Sequence, residues 1–442
     1  MNRSLVFSLT ILACSLAPSL VQGEIAGPLT EYVTRADASY QWTVRQTGQV
    51  ASAEYAELIL ISQTWREIVW KHQMFVVKPN SMPAGTRHAL LFISGGSWRD
   101  ELESGRSRPP ADAQLYVMLA ELLRTPIVVL LHVPHQPILG GRFEDDAIAH
   151  TFQEYLRTKD AEWPLLLPMV KSAVRGMDAA QEFASREWSL ELETFTVTGA
   201  SKRGWTTWLT SAVDSRVSGL APMVIDILNM GPQLAHQEAA WGRPSPQIHD
   251  YTQRGLHREL QSERGRSLLD IVDPYAYRDV LTQPKLIILG TNDPYWTVDA
   301  LNLYWDGLAG DNYILYVPNN AHGLSDLGRV FGSLNALHQH VYREQPLPRL
   351  SWEFEEREPS VRLSVQSDPP ARRMLVWKAT SPTQDFTAAR WRSQPMENRG
   401  SEYAYHVEPP GEGYLAVFAE AQYDSLDAPF FFSTNLRVLA AE

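Results

Sequence analysis

Three residues far apart in the chain, Ser201, Asp293 and His322, are of types that can share one reaction. A neutral serine hydroxyl is a weak nucleophile. A histidine that takes its proton makes it a strong one, and a carboxylate on the other ring nitrogen orients the imidazole and stabilises its cation. Each of the three follows a short apolar run. Thr194-Phe195-Thr196-Val197-Thr198 leads into Gly199-Ala200-Ser201-Lys202-Arg203-Gly204 and then into a helix-like stretch, the pattern of a nucleophile elbow. Leu286-Ile287-Ile288-Leu289 leads into Gly290-Thr291-Asn292-Asp293-Pro294, and Tyr313 to Val317 leads into Pro318-Asn319-Asn320-Ala321-His322-Gly323. Serine, acid and histidine thus come in that order, each just past the carboxyl end of a strand, where open α/β sheets bind ligands.

The common elbow is Gly-x-Ser-x-Gly, whereas here Arg203 stands in the second glycine's place and Gly204 follows it. A large side chain there must find room beside the strand. Acyl transfer also needs donors for the developing oxyanion. The Lys202 amide is one, and the loop Phe92-Ile93-Ser94-Gly95-Gly96-Ser97-Trp98 offers Gly96 and Ser97 as the other. Asp226, past the run Leu220 to Ile225, is an alternative acid. His132 and His135 follow another buried run and are expected to line the pocket; no acidic residue is spaced to make them metal ligands, so neither a metal nor a cofactor is expected. His338 and His340 lie in a helical pattern, Phe331 to Val341, and are poorer bases. Glu144-Asp145-Asp146 opens a helical stretch, where acids complement the helix dipole.

The elements that must position these groups follow from the hydrophobic pattern. Residues 41–78 alternate polar with β-branched and aromatic residues, as antiparallel edge strands do. The later runs at 89–93, 127–131, 195–197, 220–225, 286–289 and 313–317 are nearly continuous, as in strands buried on both faces. Between them come helical patterns such as Met169 to Phe183, with Pro168 at a helix start. The expected fold is an α/β-hydrolase fold over residues 24–347, with a helical cap at about 230–283. Strand-like runs separated by Pro-rich turns follow, and residues 348–442 are expected to form a small β-sandwich.

Residues 1–23 read as a signal peptide: Arg3, the apolar run Leu5 to Ala13, then small residues before Glu24. A secreted or periplasmic location is expected. Ile11-Leu12-Ala13-Cys14 also allows a lipoprotein box, with a lipid anchor on Cys14. As Cys14 is the single cysteine, a chain cleaved before Glu24 would have no disulfide and no thiolate nucleophile. Lys+Arg 39 against Asp+Glu 51 gives a net charge of −12 with no long basic block, which argues against nucleic acid as a partner. No later run is long enough for a membrane helix. The expected partner is a peptide or ester substrate, and the oligomeric state stays open.

Three stretches resemble the PhoPQ-activated pathogenicity-related proteins: Trp163 to Arg175, Thr198-Gly199-Ala200-Ser201-Lys202-Arg203-Gly204-Trp205-Thr206-Thr207-Trp208-Leu209, and Gly290-Thr291-Asn292-Asp293-Pro294-Tyr295-Trp296. The resemblance implies a secreted or envelope protein of α/β-hydrolase-like fold, related to serine peptidases of the prolyl oligopeptidase type. It makes Arg203 part of the family's own elbow. The family name records regulation by a bacterial two-component system and a link to virulence, and supplies no substrate. The elbow is also similar to the Gly-x-Ser-Arg-x-Gly of glucuronoyl esterases, which implies that Lys202 adds charge near the reacting carbonyl. The resulting expectation is a serine hydrolase, with a peptide slightly favoured over an ester of carbohydrate or other type. Its alternative is a non-catalytic secreted signalling or binding protein on the same scaffold.

Overall fold

A computed structural model describes residues 26–104, 113–357, 360–425 and 427–441. The expected leader, residues 1–23 with Cys14, lies outside the described residues. Nine strands make the main sheet: β1 (Gln41–Val50), β2 (Ala53–Trp65), β3 (Ile68–Pro79), β4 (His88–Ile93), β5 (Ile127–Leu130), β6 (Thr194–Ala200), β7 (Val217–Met223), β8 (Lys285–Gly290) and β9 (Asn312–Val317). Their order is β1-β2-β3-β5-β4-β6-β7-β8-β9. β1 to β3 pair antiparallel and β3 joins β5 antiparallel, whereas all neighbours from β5 to β9 are parallel. This is the α/β-hydrolase arrangement.

The continuous apolar runs serve two cores at once. Successive residues of a strand point to opposite faces. Leu91, Val128, Leu130, Ile287 and Leu289 therefore enter one core, together with Met169, Phe183 and Trp208 from the helices Leu166–Trp188 and Lys202–Val213. Leu90, Ile127, Val129, Leu286 and Ile288 enter the other, with Tyr116 and Leu334 from Ala113–Leu123 and Leu327–Arg343. The helix Leu166–Trp188 begins before Pro168. Proline is still tolerated there, because a first-turn N–H has no intrahelical acceptor.

β7 stops at Met223, earlier than the apolar run suggests, because Val224 turns the chain with φ 45°. Beyond it the expected cap forms from Met230–Trp241, three short helical turns and Glu263–Val272. Among the described residues no helix is long and apolar enough to cross a membrane.

After residue 348 the chain forms β10 (Arg349–Arg357), β11 (Ser360–Asp368), β12 (Arg373–Ser381), β13 (Arg392–Pro395), β14 (Glu397–Arg399), β15 (Glu402–Val407), β16 (Tyr414–Tyr423), β17 (Phe430–Ser433) and β18 (Arg437–Ala440). They build two antiparallel sheets, β10-β11-β15-β14 and β13-β12-β16-β17, with β18 also on β16. The expected single run Phe430 to Leu439 breaks at Thr434, whose hydroxyl accepts the Ala419 N–H at 3.0 Å. This module is not packed as a separate body. Its Phe386, Trp391 and Phe418 share a core with Phe195 and Tyr316 of the main sheet, and Tyr316 N–H donates to Ser433 Oγ at 3.0 Å.

Candidate active site

β6 ends at Ala200 and the next helix begins at Lys202, so Ser201 alone makes the turn, with φ 57° and ψ −125°. A residue with a Cβ adopts such a conformation only at a cost, and the surrounding bonds must hold it there. Ser201 N–H donates to the Met223 carbonyl of β7 at 2.8 Å, and its own carbonyl accepts from Trp205 N–H at 3.0 Å. Two glycines let the backbones approach. A Cβ on Gly199 would lie 2.8 Å from the Arg203 carbonyl oxygen, and one on Gly204 would lie 2.9 Å from that of Met223. Gly204 therefore does the steric work of the second glycine, one position late.

Arg203, the large residue that had to find room, folds away from the elbow. Its Nε donates to the Val133 carbonyl at 2.5 Å, and its two terminal nitrogens grip the Glu144 carboxylate at 2.7 and 2.6 Å. Gly95 leaves space for it, since a Cβ there would sit 2.6 Å from Arg203 Nη2. Lys202 Nζ reaches Asp145 Oδ2 at 2.7 Å, and Tyr251 OH from the cap donates to Asp145 Oδ1 at 3.0 Å. Glu144 and Asp145 are thus more than dipole partners of their helix. They are the counter-ions of the Lys-Arg pair after the serine, a role that the adjacency of two buried cations to Ser201 could have signalled.

His322 Nδ1–H donates to Asp293 Oδ2 at 2.8 Å, and Asp293 Oδ1 accepts Tyr295 N–H at 2.9 Å. The Tyr295 ring stacks on the imidazole with centroids 4.3 Å apart. His322 Nε2 is buried without a hydrogen-bond partner, and His322, Ser201 and Lys202 line one cavity. Among the described residues no hydrogen bond joins Ser201 to His322, and such contacts commonly tighten only when substrate is bound. The alternative acid is placed elsewhere. Asp226 accepts from Tyr304 OH at 2.7 Å, and burial, reinforced by the nearby carboxylates of Asp293 and Asp299, pushes it up to about 8. It does not hold His322.

The two loops that carry the acid and the base press on each other. A Cβ on Gly290 would meet the Asn320 carbonyl oxygen at 2.5 Å, and Thr291 Oγ1 accepts from Asn319 N–H at 2.9 Å. Both are also held by the C-terminal module. Asn292 Nδ2 donates towards the carbonyls of Phe386, Thr387 and Ala389 at 3.2, 3.1 and 2.7 Å. Asn319 exchanges two bonds with the Trp391 backbone, at 3.1 and 2.8 Å. Asn292→Ala is expected to cost about 1–3 kcal/mol in urea unfolding and to lower kcat about tenfold by loosening Asp293. Equal kcat for variant and wild type would sink the positioning role.

The other candidate residues divide between the cavity wall and the structure around it. His132 and His135 do not line the cavity. His132 Nε2 pairs with Gln73 Oε1 at 3.1 Å, and its ring lies under Gly96, where a Cβ would come within 2.8 Å of Nδ1. His135 is bonded to the Lys71 backbone and packs near Trp98. Gly96 has φ 117°, and neither it nor Ser97 is among the cavity-lining residues. Lys202 is, and as the first helical residue its N–H has no intrahelical acceptor. His338 is buried between Thr125 and Thr196 at 2.8 and 3.0 Å, and His340 donates to the Gln345 carbonyl at 2.7 Å, so neither ring serves Ser201. Among the described residues no three His, Cys, Asp or Glu side chains are grouped to hold a metal.

The sequence pattern of the PhoPQ-activated pathogenicity-related protein family matches residues 29–387. The chain belongs to that family. It is 30% identical over 443 aligned positions to autocrine proliferation repressor protein A of Dictyostelium discoideum, covering 92% of this chain and 87% of that protein. Among solved structures it is similar to acetyl xylan esterase 1 from Thermoanaerobacterium sp., with 16% identity, 71% of this chain and 95% of that one covered, and a TM-score of 0.47. It is also similar to a glucuronoyl esterase from Solibacter usitatus, with 9% identity, 70% and 91% coverage, and a TM-score of 0.41. The PhoPQ-related match spans the elbow and both loops and ends at residue 387, inside the segment whose carbonyls hold Asn292.

Proposed function

We propose that this protein is an exported serine hydrolase that cleaves an ester or amide through an acyl-enzyme on Ser201. The observation that carries the reading is the Asp293-oriented imidazole of His322, whose buried, unpartnered Nε2 shares a cavity with a serine on a strained turn. In the reaction His322 Nε2 takes the Ser201 proton as Oγ attacks the carbonyl. The Lys202 N–H, which has no intrahelical acceptor, receives the oxyanion. The imidazolium then protonates the leaving alcohol or amine, and water repeats the sequence to release the acid. The Lys202 ammonium acts with its charge largely offset by Asp145. Export rests on the apolar segment Leu5 to Ala13.

A fluorophosphonate probe is expected to label the folded wild-type protein at Ser201, identified by peptide mass spectrometry; a folded protein that stays unlabelled would sink the reading. Peptide and acyl-ester libraries then separate peptidase from esterase. A second reading, a secreted signalling protein on a hydrolase scaffold, is favoured by the relative whose name describes an autocrine proliferation repressor. It predicts no labelling and a cellular response that Ser201→Ala leaves intact.

A further inference from the structure

The cavity beside Ser201 is apolar almost throughout. Phe152 of the helix Glu144–Thr158 and Trp205 of the helix Lys202–Val213 line it, together with Met230, Leu234, Ile248 and Leu260 from the cap. Its charged residues are spent on one another: Lys202 on Asp145, and Asp145 on Tyr251. His322 Nε2 and His257 Nδ1 are the wall's buried polar atoms without a partner. A sugar ring or a charged side chain entering this space would leave its hydroxyls or charge without enough partners, a cost of the order that excludes polar groups from protein interiors. An apolar group would gain roughly what each buried methylene gains elsewhere.

We infer that the substrate presents a bulky apolar group to this cavity, a branched, aromatic or medium-length aliphatic one, attached beside the scissile carbonyl, and that acetyl esters of small alcohols are poor substrates. The inference rests on Ser201 as nucleophile and adds the chemical class that its cavity selects. The acetyl group of a small ester would fill little of the space between Trp205 and the cap, so most of the available binding free energy would go unused in the transition state.

The test uses the purified full chain and two ester series. One varies the acyl group from acetyl through butyryl to hexanoyl and phenylacetyl on a constant 4-nitrophenol. The other keeps acetyl and lengthens the alcohol from methyl to hexyl. In one series kcat/KM is expected to rise about fourfold per methylene, hence about 15-fold over two. Leu234→Trp, which fills the cavity from the cap, should lower the hexanoyl-to-acetyl or hexyl-to-methyl ratio at least about tenfold. Flat or falling rates in both series, with acetyl esters turned over well, would overturn the inference and leave the hydrolase reading standing. A separate measurement keeps the two apart if no ester is cleaved. Calorimetry on Ser201→Ala should find hexanamide bound at least about tenfold more tightly than acetamide, and equal affinities would overturn the apolar class independently of catalysis.

Discussion

Alanine at Ser201 or at His322 is expected to lower hydrolysis of a good substrate by on the order of 10⁴-fold or more, with the double variant losing little beyond the worse single one. The near-identity of the losses is the informative part. In the proposed reaction serine and histidine act in one proton-coupled step, so removing either removes that step entirely. Asp293→Asn is expected to cost on the order of 10⁴-fold as well, since an amide facing His322 Nδ1 favours the tautomer with its proton on Nε2, the wrong nitrogen. The binding cavity survives each change, so initial rates should fall through kcat, and circular dichroism should match wild type. Stability supplies a second readout. Ser201 holds φ 57° with a Cβ present, and Ser201→Gly relieves that strain, so the inactive glycine variant is expected to unfold at higher urea by about 1 kcal/mol. A glycine variant less stable than wild type would contradict a strained turn kept for presenting the hydroxyl.

Arg203→Met is the second large effect, expected to destabilise the fold by about 3 kcal/mol at pH 7. The Arg203 side chain is 10% exposed and Glu144 is 36% exposed, so the figure belongs at the lower end for breaking a buried pair. Removing the guanidinium takes the Nε donor from the Val133 carbonyl and two donors from the Glu144 carboxylate, which keeps Gln136 Nε2 at 2.7 Å and the Lys202 ammonium at 3.6 Å. The pH dependence identifies the cause. Burial alone would push the Glu144 carboxyl up, but the hydrogen bonds and charge of Arg203, helped by the Gln136 hydrogen bond and the Lys202 charge, outweigh it and hold the group below its ordinary value. A carboxylate depressed by folding adds stability above its unfolded pKa, and that stability is lost as pH falls through the folded value. In Arg203→Met only the Gln136 hydrogen bond and the more distant Lys202 charge oppose burial, so the Glu144 carboxyl rises and the deficit should be full at neutral pH and shrink as acid protonates it. Urea unfolding of both proteins from pH 7 down to the carboxylate range measures this. A deficit that does not change with pH would mean that lost packing, and not the ion pair, is responsible.

The same pair explains a limit of reading the chain residue by residue. Arg203 counted against a standard elbow because its own neighbours say nothing of where a long side chain can go. Glu144-Asp145-Asp146 read as an ordinary helix start because a first turn favours acids wherever it occurs. Each is locally sufficient, and only their meeting across the β5 and β6 loops gives them a joint role. The histidines 132 and 135 illustrate the converse. Their place after a buried strand suggested a cavity wall, but His132 turns under Gly96 to Gln73 and supports the loop from behind.

What the sequence by itself determined is the succession of strands along the chain, the parallel nature of the sheet and the candidates Ser201, Asp293 and His322, because these depend on short-range regularities: continuous apolar runs, a Gly-x-Ser turn, and loops placed just after strands. What only the tertiary structure decided is which acid holds the histidine, where the two cations after the serine find their charges, and that Asn292 and Asn319 tie the acid and base loops to the C-terminal sheets. The physical reason is range. A strand or turn is stabilised by residues within a few positions of one another, whereas an ion pair or a loop clamp depends on distances between segments many residues apart, which are set only when both faces of the sheet are packed.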